Sequence, residues 1–133
     1  MKLKKIRKAC ETWTYRLGLK WWEIEFNFVT DKAEAYKMFG YDQESTVMAR
    51  SYPDWRYMTC TIYLNIPAMK SKEDMEVEKI IVHELCHALI NEMREDGIDH
   101  EERVVTGLTK AFLWTEADVI KAKVNDRRND GSK

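Results

Sequence analysis

One segment near the middle of this 133-residue chain is helical in pattern and apolar on nearly every side. It extends to about Arg94, and its apolar residues recur at helical spacing: Ile80, Ile81, Val82, Leu85, Ala88, Leu89 and Ile90. A helix that is apolar all round is typically buried in the centre of its domain. Polar side chains within it therefore need partners, because burial of an unpaired polar group costs free energy.

The polar residues of its apolar part, Ile80–Ile90, are His83, Glu84 and His87, which form an H-E-x-x-H motif. Residues four apart lie on one face of a helix, about 5–6 Å apart at Cβ, so the two imidazoles can bind one zinc ion. The intervening glutamate can act as general base toward a zinc-activated water. The alternative is a pair of core histidines satisfied by backbone carbonyls, which the cost of burying these groups disfavours. We therefore predict a catalytic zinc site with Glu84 as the base.

A catalytic zinc needs a third protein ligand, and the candidates follow the motif: Asp96, Asp99, His100, Glu101 and Glu102. Glu101 precedes Val104 and Val105 by three and four residues, so we expect its side chain on the buried stripe of the next helix. We predict Glu101 as the ligand, with Glu102 as the fallback because it lies above a more polar face. Glu102 could instead close a capping box with Asp99. His100 is the third choice because it precedes the apolar stripe.

The residues before this helix predict one helix and three strands. Spacings of three and four indicate an amphipathic helix over Leu3–Leu17. Alternation predicts a strand over Trp22–Val29. Two further runs, Thr46–Tyr52 and Tyr57–Ile66, flank a proline-aspartate turn and read as a hairpin. We expect the second of them to pair with an extended peptide substrate at the sheet edge.

The remaining segments predict helices and complete an α+β domain. Asp31–Glu44 reads as a short helical turn that ends at Gly40. Ser71–Asp74 and Asp99–Glu102 each have the form of a capping box that opens a helix. The order is a helix, three strands with room for a fourth, the motif helix and a C-terminal helix. We expect one domain over residues 1–124 and a polar, frayed tail over residues 125–133.

Composition excludes several classes of protein. At 44% hydrophobic residues the chain is not a disordered one, and a net charge of −1 argues against a nucleic-acid binder. No apolar run reaches the length of a membrane span, and the basic N-terminus lacks the apolar core of a signal peptide. Three cysteines, without framework spacing, indicate a reduced, cytoplasmic protein. Cys86, inside the motif, is interpreted as a small core residue.

With these motifs in place, the chain resembles the zincin metallopeptidases, and among them the small gluzincins, or minigluzincins. The resemblance covers roughly Tyr57–Phe112. It implies His83 and His87 as zinc ligands, Glu84 as general base, a glutamate ligand on the next helix, and a peptide or protein substrate. The segment after His100 is also similar to that of phage and prophage metallopeptidases, which would imply the host cytoplasm as location.

Two related groups fit less well. Metzincins require glycine and histidine where this chain has Ile90 and Met93. SprT-like proteases share H-E-x-C-H-A, which His83–Ala88 matches, but carry a third histidine followed by glycine, whereas His100 is followed by Glu101. Because the H-E-x-C-H-A sequence does match, an SprT-like protease with His100 as third ligand stays an alternative. A second alternative is an inactive zinc-binding or partner-binding module, because no tyrosine follows Tyr63 to stabilise an oxyanion.

Overall fold

In the computed structural model, which describes residues 1–40, 47–97 and 100–130, helices flank a three-stranded sheet. Side chains are described throughout these ranges except at positions 95, 96 and 128–130. In chain order the elements are α1 (Leu3–Arg16), β1 (Glu23–Val29), α2 (Lys32–Phe39), β2 (Ala49–Asp54), β3 (Thr59–Asn65), α3 (Ile66–Met69), α4 (Asp74–Leu89) and α5 (Glu101–Asp130). The α+β class, with a three-stranded sheet between an N-terminal and a C-terminal helix, is confirmed.

The sheet has the strand order β1-β3-β2, with β3 parallel to β1 and antiparallel to β2. The residues of β3 alternate as in a strand with one buried face, since Cys60, Ile62 and Leu64 are all buried on one side, whereas Met58, just before the strand, is exposed. The expectation that β3 offers an edge to a substrate is wrong, because β3 is hydrogen-bonded on both sides. Within the ranges that the structure describes, the open edges belong to β1 and β2.

One main core holds α1 and α4 against the sheet. From α1 it takes Ile6, Cys10 and Trp13, which recur at helical spacing and are almost fully buried. Leu85 lies fully buried in α4, and this helix contacts α1, β2 and α5. The nearly all-round apolar pattern of α4 thus reflects neighbours on three sides. The motif helix is therefore central in the fold, as the sequence predicts.

Several predicted boundaries differ from the structure. The hairpin turn falls at residues 55–58 because Pro53 and Asp54 still pair with β3. The capping box at Ser71 is wrong: its hydroxyl donates to the carbonyl of Ala68, and α4 begins later, at Asp74, without a side-chain cap. The motif helix ends at Leu89, and a 3-10 segment follows.

Two predicted features touch residues outside the described ranges. The short helix expected over Asp31–Glu44 is present as α2, which ends at Gly40, while residues 41–44 lie outside those ranges. The first strand of the hairpin is expected from Thr46, which lies outside them, and β2 begins at Ala49. The capping box of Asp99 likewise lies outside them.

The last helix, α5, contacts the core only along its first half. Val105 and Thr109 are buried in it, whereas every residue from 121 to 127 is exposed. The helix extends to Asp130. Fraying of the tail over residues 125–133 stays a prediction. Among the residues that the structure describes, every helix is too short or too polar to cross a bilayer.

Candidate metal centre

Helix α4 presents both motif histidines on the same side, toward α5 and β2. Their ring centroids are 5.0 Å apart. His87 is 7% exposed, His83 is half-buried, and Glu84 is half-buried beside them. The spacing of the motif on a buried helix therefore produces the convergence of imidazoles that the sequence predicts.

The first turn of α5 brings a carboxylate to these histidines, and it belongs to Glu102. One carboxylate oxygen of Glu102 lies 3.0 Å from Nε2 of His87, and the other lies 3.2 Å from Nε2 of His83. The Glu102 side chain is 72% exposed, so it reaches the histidines from the solvent side. This is the fallback residue of the sequence analysis.

These three donors suit a zinc ion. Ligand atoms of His83, His87 and Glu102 lie within 4.8 Å of one another, and no other such group of metal-binding side chains occurs in the described ranges. Two imidazoles and a carboxylate form one of the ligand sets of catalytic zinc, in which bond lengths of about 2.0–2.1 Å put donor atoms about 3.3 Å apart. The donors therefore have both the chemistry and the spacing for zinc.

Glu101, the predicted third ligand, has a different partner. Arg94 donates to both of its carboxylate oxygens, each at 2.8 Å. These hydrogen bonds hold the pKa of Glu101 below its usual range. The same hydrogen bonds raise the pKa of Arg94. The Glu101 side chain is 19% exposed, so its expected place on the buried side of α5 is observed.

Glu101 also faces the second motif histidine, on the side of the ring away from Glu102. One oxygen of Glu101 lies 3.6 Å from Nδ1 of His87. This nitrogen is buried and has no hydrogen-bond partner among the described residues. The two adjacent glutamates thus approach opposite nitrogens of the same imidazole.

The other candidate ligands do not join this cluster. His100 is exposed, has a positive φ of 71°, and lies outside the group of converging donors. Asp99 and the side chain of Asp96 lie outside the described residues. Cys86 is fully buried and close to the hydroxyl of Thr109, which confirms its interpretation as a core residue.

A cleft of about 380 Å³ lies between β2 and the motif residues. Its lining consists of Ala49, Arg50, Ser51, Tyr52, His83, Glu84, His87, Arg94 and Glu102. Sequence analysis missed the contribution of β2, although Pro53 offered a signal, because proline within a sheet is typical of edge strands. It also missed Arg50 and Tyr52, since it considered only residues after the motif, and it missed Arg94, since it considered only possible metal ligands there.

Comparison with known proteins agrees with this site. The model of the SprT-like family matches residues 18–105, most of the chain, including the motif and Glu102. No curated protein and no solved structure gives a significant match. The family match supports a zincin-type metallopeptidase. It favours the SprT-like group, which the sequence analysis ranked below the gluzincins because of the pattern around the third ligand. The chain belongs to the SprT-like family, and His83–Ala88, which read H-E-L-C-H-A, lie within the matched residues.

Proposed function

We propose that this protein is a zinc-dependent peptidase in which His83, His87 and Glu102 hold the metal. The observation that carries the proposal is the convergence of these three donors beside Glu84, in a cleft bordered by an open strand edge. The family match favours the same chemistry. A glutamate as third ligand is the gluzincin arrangement, here proposed for an SprT-like chain. The phage resemblance and the cytoplasmic location rest on the sequence alone.

When bound, zinc would supply a Lewis acid that polarises the scissile carbonyl and acidifies a coordinated water. Glu84 would take a proton from the attacking water and deliver it to the leaving amine. It follows His83 directly on α4 and lines the cleft, so it lies beside the three donors without joining them.

The cleft also fits an extended peptide. Strand β2 is an edge of the sheet, and residues 49–52 of that strand line the cleft. An edge strand can pair with an added chain through its main-chain groups. A peptide bound along β2 would therefore pass next to Glu84. We propose an unfolded or extended segment of a protein as the substrate.

The test compares wild type with Glu84→Gln and the control Glu76→Gln, an exposed glutamate in the first turn of α4. Each protein is assayed for bound zinc and for cleavage of a denatured protein. We expect all three to hold zinc, and only Glu84→Gln to lose cleavage. Undiminished cleavage by Glu84→Gln would contradict the mechanism. Zinc retention without cleavage by wild type would instead support the alternative of an inactive zinc-binding module.

A further inference from the structure

The ion pair between Arg94 and Glu101 lies next to the proposed metal site. Arg94 belongs to the 3-10 segment Asn91–Asp96, which follows α4. This segment is anchored by the buried side chain of Asn91, which accepts a hydrogen bond of 2.9 Å from the backbone N–H of Trp55. Gly97, in the left-handed region at a φ of 69°, then ends the segment. Arg94 is therefore held at a fixed place beside the start of α5.

From this place Arg94 controls the orientation of Glu101. The guanidinium binds both carboxylate oxygens, and such a two-point contact fixes the plane of the carboxylate as well as its position. The oxygen nearer to His87 then lies 3.6 Å from Nδ1. A shift of a few tenths of an ångström would form a hydrogen bond to this otherwise unpartnered atom.

We infer that Glu101 is a positioning residue, which accepts a hydrogen bond from the Nδ1–H of His87 while Arg94 keeps its carboxylate away from the metal. The inference rests on the metal site proposed above. A histidine that binds a metal through Nε2 carries its proton on Nδ1, and an acceptor there fixes the tautomer and the ring orientation. Glu101 meets this requirement from the side of the imidazole opposite Glu102.

The same geometry explains why two adjacent glutamates have different proposed roles, Glu101 in positioning His87 and Glu102 in binding the metal. Glu101 and Glu102 are separated by about 100° around the helix axis. Glu101 therefore approaches Nδ1 of His87, and Glu102 approaches Nε2. Both oxygens of Glu101 are occupied by Arg94, whereas Glu102 has only the histidines as described ion-pair partners. Glu102 is thus the carboxylate left available to a cation.

The experiment measures zinc affinity by competition with a chromophoric chelator. Glu101→Gln removes the charge and the ion pair but keeps the size of the side chain. Its control is Glu116→Gln, which breaks the ion pair between Glu116 of α5 and Arg16 of α1, far along α5 from the site. We expect Glu101→Gln to bind zinc about 10- to 100-fold more weakly, as is usual for loss of such a partner. Glu116→Gln should bind zinc like wild type.

A second measurement separates positioning from a general loss of structure. In the zinc-loaded wild type, ¹⁵N-resolved NMR should show His87 protonated at Nδ1 and hydrogen-bonded, and Glu101→Gln should change this resonance. Arg94→Met, which leaves Glu101 in place, should also weaken zinc binding, and it serves if Glu101→Gln does not fold.

Two outcomes would count against the inference, and they are distinguishable. Equal zinc affinity in Glu101→Gln and Glu116→Gln, or an unchanged His87 resonance, would overturn the inference alone. A wild-type protein that binds no zinc would overturn the proposed function, and this inference with it.

Discussion

Glu101 and Glu102 are neighbours in the chain, yet their carboxylates approach opposite nitrogens of the His87 ring. Glu101 is held by Arg94 at 3.6 Å from Nδ1, and Glu102 lies 3.0 Å from Nε2. An imidazole that is contacted on both nitrogens has little rotational freedom. The proposed metal site is therefore ordered by two successive residues of one helix turn.

The identity of the third ligand can be tested by comparing Glu102→Gln with His100→Ala. Glu102→Gln should weaken zinc binding by more than the roughly 10- to 100-fold expected for loss of an outer partner, because it removes a ligand. His100→Ala should leave affinity unchanged, since His100 is exposed and lies outside the cluster. Chelator competition would measure both variants. The reverse order of effects would restore the histidine ligand of the SprT-like pattern.

The stability of the domain should depend strongly on Leu85, on the buried side of the motif helix. Leu85 is fully buried, and Leu89, one turn later, is 39% exposed. Leu85→Ala should lower the free energy of unfolding by about 2–5 kcal/mol, because it leaves a cavity in the core. Leu89→Ala should cost clearly less. Urea denaturation of the metal-free proteins would measure the difference, and equal costs would contradict the placement of the helix.

Cys10 should make the stability depend on alkaline pH. Burial raises the pKa of its thiol to about 12, whereas an exposed thiol titrates near about 8.5. Below about pH 8.5 both states keep the proton, so the protonated thiol contributes its full stabilisation. Above that pH only the unfolded chain loses the proton. The stability of the folded state then falls by up to about 1.4 kcal/mol per pH unit, until Cys10 itself titrates.

This effect can be isolated with Cys10→Ala. The stability advantage of wild type over the variant should be constant from pH 7 to about 8.5 and should narrow at higher pH. Urea denaturation at a series of pH values would measure it. Parallel stability curves for the two proteins up to pH 10.5 would show that burial does not raise this pKa. The same comparison applies to Cys60, whose pKa burial raises to about 11.

The exposed end of α5 should be dispensable for folding. Residues 121–127 are all exposed, so a chain that ends at Lys121 should lose no more than about 0.5 kcal/mol of stability, as for surface changes generally. A chain that ends at Lys110 also lacks Phe112 and Leu113, which pack against the core. It should lose considerably more, because apolar burial is removed. Thermal unfolding of the two truncated proteins would compare them.

The central helix and the shared face of its two motif histidines were predictable from the sequence because their signals are local. The spacing of His83 and His87 and the apolar residues around them determine which face they share. The choice between Glu101 and Glu102 is different, since periodicity indicates only which side of α5 each residue takes. It correctly put Glu101 on the buried side. The partner found there, Arg94, depends on the 3-10 segment and the turn at Gly97, whose path has no periodic signal.

The position of the substrate edge was missed for a related reason. Alternation in β3 predicts a strand with one buried face, but it is silent on which neighbours pair with that strand. Pairing of β1 with β3 is parallel and spans the intervening α2 and β2, so it is a long-range contact. Pro53 in β2 was the one local indication that β2, and not β3, lies at the edge.

The two open edges of the sheet differ in charge, and therefore in how readily another chain can pair with them. Strand β1 exposes Glu23 and Glu25 along its edge, and such charges discourage a second copy from pairing there. Strand β2 has no acidic side chain from Ala49 to Tyr52. Solubility at high concentration should therefore depend on what occupies the β2 edge, and a bound peptide would protect the protein against self-association through the same contacts that present it for cleavage.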